Sequence, residues 1–362
     1  AAWCCVAALA GFVLLQSSAL TATGALPALA LFGALAGWRG ELDFARGPTF
    51  AEYALLALLA AWCVGIAASG DAARGVALSV PPLAAALGAV LLSRAPWTDA
   101  TRAALALSVL AAAVAQAAQV LLAFAFGAGR GASAVTDADV PWLVVPNDLA
   151  WAGASLALLP TLVRTFPGRA TQVAGALVVL VVAGAAICAQ SRLALLVALL
   201  ALVPAVGRRG LALWVAAAAV AVVAAMSWGK GLTSLDSRIE LWRAALELGA
   251  AHPWTGIGPG GFDAAVEHVA PAHERVDPRA MPWPHSLPLE AFALLGVPGL
   301  LALGAVALAG YRRDRRPPAA GMMLAVAAIA LVEASLLRVW CWWGIALLLH
   351  WPPPTPRKDD AR

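Results

Sequence analysis

The chain has 362 residues, of which 62% are hydrophobic and only 12% charged, with a net charge of +4. Water-soluble domains carry a charged share of about 25%, so this composition excludes an ordinary soluble globule and assigns the chain to a bilayer. The positive balance comes from arginines clustered in short connections, which is a topology signal, and no basic domain exists to hold a nucleic acid.

Uncharged runs recur along the whole length, many reaching the roughly 20 residues a helix needs to cross the hydrocarbon core. Alanine, leucine and valine fill them without period-2 alternation, which favours helices over a membrane barrel. Residues 1–38 carry no charge and fit two spans turning near Thr21 to Gly24; the first lacks a basic n-region and a cleavage signal and reads as a span, not a signal peptide. Further spans are expected at about 50–68, 76–92 and 103–126, followed by a Gly-rich link at 127–140 and a sixth span ending near Pro160. The run 170–207 contains one charge, Arg192, between flanking arginines, and 38 residues are too many for one helix. It must be a hairpin with its tip near Gln190-Ser191-Arg192, which puts Arg192 at the face opposite its flanking arginines. Spans at 211–228, about 287–310, 319–337 and 339–351 complete the series.

The fold expected is therefore all-α: a polytopic membrane helix bundle of about 12 transmembrane helices with one large external loop containing an amphipathic helix. Its parts are an N-terminal bundle of about nine spans at 1–229, an extracytoplasmic loop at 230–286, C-terminal spans at 287–351 and a cytoplasmic tail at 352–362. The short connections on one side and the tail hold 15 of the 24 Lys and Arg residues, against four in the short connections of the other side. By the positive-inside rule both termini are cytoplasmic and the loop is external. The five cysteines lie in or beside apolar runs without a Cys-x-x-Cys pair and read as small core residues.

The loop holds four of the five histidines. Within it Ser237-Arg238-Ile239-Glu240 has capping-box spacing, and Ile239, Trp242, Leu246 and Gly249 recur at helical spacing. An amphipathic helix over about 238–250 is expected, stopped by Gly249 and Pro253, with Arg238 in its first turn. There the guanidinium would join free backbone N–H groups as a phosphate site, against the plainer reading of an exposed arginine on a surface helix. Gly256-Ile257-Gly258-Pro259-Gly260-Gly261 matches the dinucleotide fingerprint by letter, but no strand precedes it, and it reads as a turn-rich connector. His252, His268, His273 and His285 match no common metal cage, so no metal and no cofactor are expected. Pro282-Trp283-Pro284 delivers His285 to the outer start of a span, where a neutral imidazole, wet on one side and sheltered on the other, can act as a base; a lone histidine is more often structural.

Arg192-Leu193-Ala194-Leu195-Leu196 has the form Arg-x3-Leu. His285-Ser286, nine residues, Gly296, two residues and Gly299 has the form His-(Asn/Ser/Gln)-x9-Gly-x2-Gly. Together with Arg238-x3-Trp242, His252-Pro253 to Gly261 and Pro146-Asn147, the chain resembles the O-antigen ligase and O-antigen polymerase superfamily of membrane glycosyltransferases over most of its length. Ser286 stands where that family often has asparagine. The resemblance implies a metal-independent, inverting enzyme of the bacterial inner membrane. It would pass a glycan from undecaprenyl pyrophosphate, on the periplasmic side, to an acceptor hydroxyl on a glycan or lipid. It implies His285, Arg238 and Arg192 as catalytic residues, the two arginines also meeting the pyrophosphate. Trp242, Trp254 and Trp283 become candidates for stacking on sugars, with interfacial anchoring the competing reading. Glu333 and Arg338, which interrupt the last apolar region, become candidate cavity residues.

Two other classes compete. A secondary transporter of a small anion would use intramembrane Arg192 and Arg338 as binding charges and would show inverted repeats and broken helices. A non-enzymatic scaffold of envelope assembly would leave Arg192, Arg238 and His285 without a purpose.

Overall fold

In a computed structural model of the chain the residues described are 40, 42–43, 45, 47–94, 97–125, 149–189, 191–205, 233–269, 283–312, 317–332, 336, 341–342, 344–345 and 349. All regular elements among them are helices: α1 Phe50–Ala68, α2 Ala72–Ala77, α3 Val80–Arg94, α4 Asp99–Ala125, α5 Leu149–Ser155, a 3-10 turn Leu156–Leu158, α6 Leu159–Thr165, α7 Arg169–Cys188, α8 Arg192–Ala205, α9 Thr233–Ala251, α10 Phe262–Val269, α11 Leu287–Arg312 and α12 Pro317–Val332. Among the described residues five stretches are long and apolar enough to cross a membrane: α1, the pair α2–α3, α4, α7 and α11. The expected spans at 1–38 and 211–228, the 127–140 link, the tail, Pro146-Asn147, His273, Glu333 and Arg338 lie outside the described residues.

Where the structure describes the expected spans, most of their limits agree to within a few residues. One does not. The sixth span was expected to end near Pro160, yet helix continues to Thr165. A 3-10 turn closes α5, and Pro160 then stands in the first turn of α6, where its missing N–H costs no hydrogen bond. The hairpin tip is as expected. The α7 helix ends at Cys188, and Ser191 caps α8, its hydroxyl accepting the Ala194 N–H at 3.3 Å. Of the cysteines, Cys341 is buried as anticipated, whereas Cys63 is exposed.

The core of the bundle's first half is α1 packed antiparallel on α11. At one end, the Arg312 guanidinium closing α11 lies 5.7 Å from the centre of the Phe50 ring that opens α1. At the other, Gly65 of α1 meets the Leu294 carbonyl and the Leu295 side chain. Phe50 and Gly65 are separated by about 22 Å along α1, so these two contacts lie toward opposite ends of the pair. The Arg312 end also carries a buried polar cluster. Thr49 and Glu52 form a reciprocal capping box, and Arg94, closing α3, donates to both Glu52 carboxylate oxygens at 3.0 and 3.1 Å. Ser93 donates to the same carboxylate at 2.7 Å. Arg94 and Arg312, from two of the arginine-rich connections, thus share one end of the bundle.

In the second half, Gly153 of α5 lies against the backbone of Ala194 and Ala198, and Gly321 of α12 against the Ala201 carbonyl and Ala157. The segment from α5 to α6 therefore runs parallel to α8, and α12 meets both one turn after its start.

Candidate functional site

The end of the bundle away from Arg312 is built on an interrupted helix. Gly296 adopts φ 68° and ψ −163° inside α11, a conformation that divides it into Leu287 to Leu295 and Val297 to Arg312 and that only glycine takes readily. Pro298 has no N–H, so the Leu294 carbonyl four residues earlier loses its helical donor. The Val297 N–H turns away to donate to Pro253 at 2.7 Å, which releases the Ala293 carbonyl as well. Both carbonyls are taken by the glycine-rich connector that follows α9: Ile257 N–H donates to Ala293 at 2.9 Å and Gly258 N–H to Leu294 at 3.0 Å. Three backbone groups of α11 left without helical partners, the Val297 N–H and the Ala293 and Leu294 carbonyls, are bonded between chain segments instead.

Such backbone-to-backbone approach leaves no room for side chains. A Cβ on Gly256 would come within 2.1 Å of the Leu294 carbonyl carbon, and one on Gly258 within 2.6 Å of the Gly65 carbonyl. Gly256, Gly258 and Gly260 all have positive φ. The connector reading of Gly256 to Gly261 holds, with α9 and not a strand before it. Its glycines serve a second purpose invisible in their spacing: they let the connector plug the break in α11.

The helix α9 corrects two expectations. It begins at Thr233, not near 238, so Arg238 is its sixth residue and lies beyond the four free N–H groups of the first turn. The helix also runs past Gly249 to Ala251. Gly249 is there for contact, since a Cβ would sit 2.4 Å from the Phe292 ring of α11. The buried face is Leu241, Ala244, Ala245 and Leu248, while Leu246 of the expected stripe is 49% exposed. Half-buried Arg238 lies three residues before Leu241 and four before Trp242, at the edge of the face that packs on α11.

Trp242 secures the approach to α11: its indole N–H donates to the Pro284 carbonyl at 2.9 Å. The next residue, His285, is 8% exposed and has φ 56°. Left-handed backbone costs a non-glycine residue about 1–2 kcal/mol and persists where the surroundings fix it, a pattern frequent at functional sites. The Trp283 ring lies 5.4 Å from the imidazole, tilted by 49°. Ser286, also buried, accepts the Glu290 N–H at 2.8 Å and opens α11.

Trp242 is bonded to Pro284, the residue between Trp283 and His285, the Trp283 ring lies beside the imidazole, and Arg238 stands one turn away on the helix that supplies Trp242. The Trp242 bond to Pro284 gives that half-buried indole a structural role without a sugar. Arg192 enters from the other half of the bundle. It is exposed and is the first residue of α8 after the Ser191 cap. Because Ala201, further along α8, lies by Gly321 near the start of α12, Arg192 is displaced toward the end opposite Arg312, as His285 is. Exposed Trp254 and His252 follow α9 directly.

One buried residue close to His285 in the chain is not singled out by the sequence reading. Glu290 is 0% exposed, five residues after His285, and its carboxylate accepts the Leu336 N–H at 2.8 Å. A lone carboxylate within an apolar run is the signal that marks it.

A helical, multi-pass membrane protein with a histidine at a broken-helix end is the class these observations define. Residues 148–304, from just before α5 into the second half of α11, match the family described as O-Antigen ligase. That match supports a relation to the O-antigen ligase and polymerase superfamily over these residues. A comparison with curated proteins finds no match.

Proposed function

We propose that the chain transfers a glycan from undecaprenyl pyrophosphate to an acceptor hydroxyl, with inversion and without a metal ion, in cell-envelope polysaccharide biosynthesis. The observation that carries this reading is the setting of His285. The residue is buried and held in left-handed backbone between Trp242, through Pro284, and the start of α11. The family match, which includes Arg192, Arg238, Trp242, Trp283 and His285, supports the same chemistry.

In this mechanism the His285 imidazole takes the proton of the acceptor hydroxyl as its oxygen attacks the anomeric carbon. The bond from that carbon to the phosphate oxygen breaks on the opposite face, and its electron pair leaves with the lipid pyrophosphate. Arg192 and Arg238 meet the growing negative charge. A cation at the first residue of a helix opposes the helix dipole, at a cost of about 0.3–1 kcal/mol. For Arg192 the same arrangement concentrates positive potential where a pyrophosphate would be bound. The site would face the periplasm of a bacterial inner membrane, since Arg94 and Arg312 mark the opposite, cytoplasmic end.

The interruption of α11 is a feature the transporter reading also expects. In transporters, however, the carbonyls freed by such breaks coordinate ions, and here those of Ala293 and Leu294 are occupied by the connector. The test is to incubate the purified chain with a pyrophosphate-linked glycan and candidate acceptors in the presence of a chelator. Inverted product, reduced at least ~100-fold by His285→Ala, is expected. Equal product from that variant would remove His285 as the base, no product from the unaltered chain would favour the scaffold, and anion flux into proteoliposomes without product would favour the transporter.

A further inference from the structure

Glu290 carries a charge-bearing group into the apolar interior five residues after His285, and its carboxylate reaches the C-terminal segment. Its Oε2 accepts the Leu336 N–H at 2.8 Å, and the carbonyl of the same Leu336 accepts the indole N–H of Trp342 at 2.7 Å. Trp342 is 0% exposed and meets the Trp62 ring of α1 edge-on, with centroids 5.7 Å apart. Two residues further, Gly344 lies against the Trp151 ring of α5. Leu336 is thus held from both sides, and the C-terminal segment links the α1–α11 half of the bundle to the half that carries Arg192. The opposite side of the first turn of α11 is held by α9, through the Trp242 bond to Pro284 and the packing of Phe292 on Gly249.

We propose that Glu290 is a positioning residue for His285: by holding the Leu336 amide it clamps the C-terminal segment to the first turn of α11 and fixes the backbone from which the imidazole projects. The inference rests on the transfer reading above and adds to it the residue that sets the histidine's place. What matters in this role is the reach of the side-chain oxygen, not its charge. Glutamine keeps the reach and loses the charge; aspartate keeps the charge and withdraws the oxygen by one methylene. A base displaced by about 1 Å loses rate on the order of 100-fold, with substrate binding unaffected.

The experiment compares Glu290→Gln, Glu290→Asp and His285→Ala, as full chains purified in detergent, in the transfer assay with pyrophosphate-linked glycan. The expected result is a kcat for Glu290→Gln within about 3-fold of the unaltered chain and a kcat for Glu290→Asp lower by ~10- to 100-fold, each with donor KM within about 2-fold. In the His285→Ala background the Glu290→Asp loss should vanish, because the two residues act in one chain of effects. Amide hydrogen exchange across residues 285–290, which needs no substrate, should be faster in Glu290→Asp and unchanged in Glu290→Gln. The proposal is overturned by a fully active Glu290→Asp, by a Glu290→Gln as impaired as Glu290→Asp, by a loss confined to KM, by additive losses in the double variant, or by exchange that neither substitution alters. An inactive His285→Ala beside a fully active Glu290→Asp overturns this inference alone. A fully active His285→Ala overturns His285 as the base of the proposed mechanism and this inference with it.

Discussion

The two ends of the α1–α11 pair are fastened by different means. At the Arg312 end the fastening is made by side chains: the Glu52 carboxylate gathers Arg94, Ser93 and Thr49, and Arg312 lies over Phe50. At the His285 end it is made by backbone, with Ile257 and Gly258 bonded to Ala293 and Leu294, and Val297 to Pro253. Side-chain clusters tolerate small shifts because long side chains adjust. Backbone docking between glycines tolerates none, and it fixes the position of whatever follows in the chain to a fraction of an ångström. The rigid fastening is the one beside the histidine, which is where a transfer reaction needs fixed geometry.

Substitutions that act on one end only should break or sharpen this contrast. The largest effect is expected from His285→Ala, which should lower transfer by ~100- to 10,000-fold, the range for a general base, with little change in thermal unfolding of the detergent-purified chain. Gly256→Val comes next. Its side chain would meet Leu294 backbone that cannot retreat, and the strain at positive φ adds to the clash, so a loss of more than about 4 kcal/mol or failure to accumulate is expected, read by melting and by proteolysis at residues 252–261. Arg94→Ala, at the other end, leaves the buried Glu52 carboxylate without its cation and should cost about 3–5 kcal/mol, while the molecules that remain folded keep their transfer rate. Trp242→Phe removes the bond to Pro284 but keeps a ring; about 0.5–1.5 kcal/mol of stability is expected to go, with a drop in kcat that Arg94→Ala does not share. The smallest effect belongs to Gly304→Ala, on the same helix as Gly296 but with nothing within 4 Å of the new methyl; it should be neutral or stabilise by up to about 1 kcal/mol. A Gly304→Ala as damaging as Gly256→Val would mean that α11 is intolerant throughout and that the docked break is not special.

The helices were legible because their signal is local. Uncharged runs of the right length mark α1, α3, α4 and α7, and the single Arg192 within an overlong run marks the hairpin before α8. The histidine and the two glycines of the His285 motif were legible as a pattern. What the pattern accomplishes was not, because the partner of Gly296 is Pro253, more than forty positions earlier, and no periodicity links them. The start of α9 was misplaced because Ser237 and Glu240 have capping-box spacing, yet the helix begins at Thr233. Its buried face was misjudged because Leu246 counts as apolar whether it meets protein or lipid. Glu290 escaped attention because an apolar run with one acid still reads as a span.

The exchanged hydrogen bonds of α11 also constrain how the chain assembles. Hydrocarbon supplies no donors, so the Ala293 and Leu294 carbonyls cannot rest in lipid without a partner. Leu287 to Leu295 therefore reaches its final depth only together with the connector, which ties the placement of the His285 end to the docking of residues 253–258.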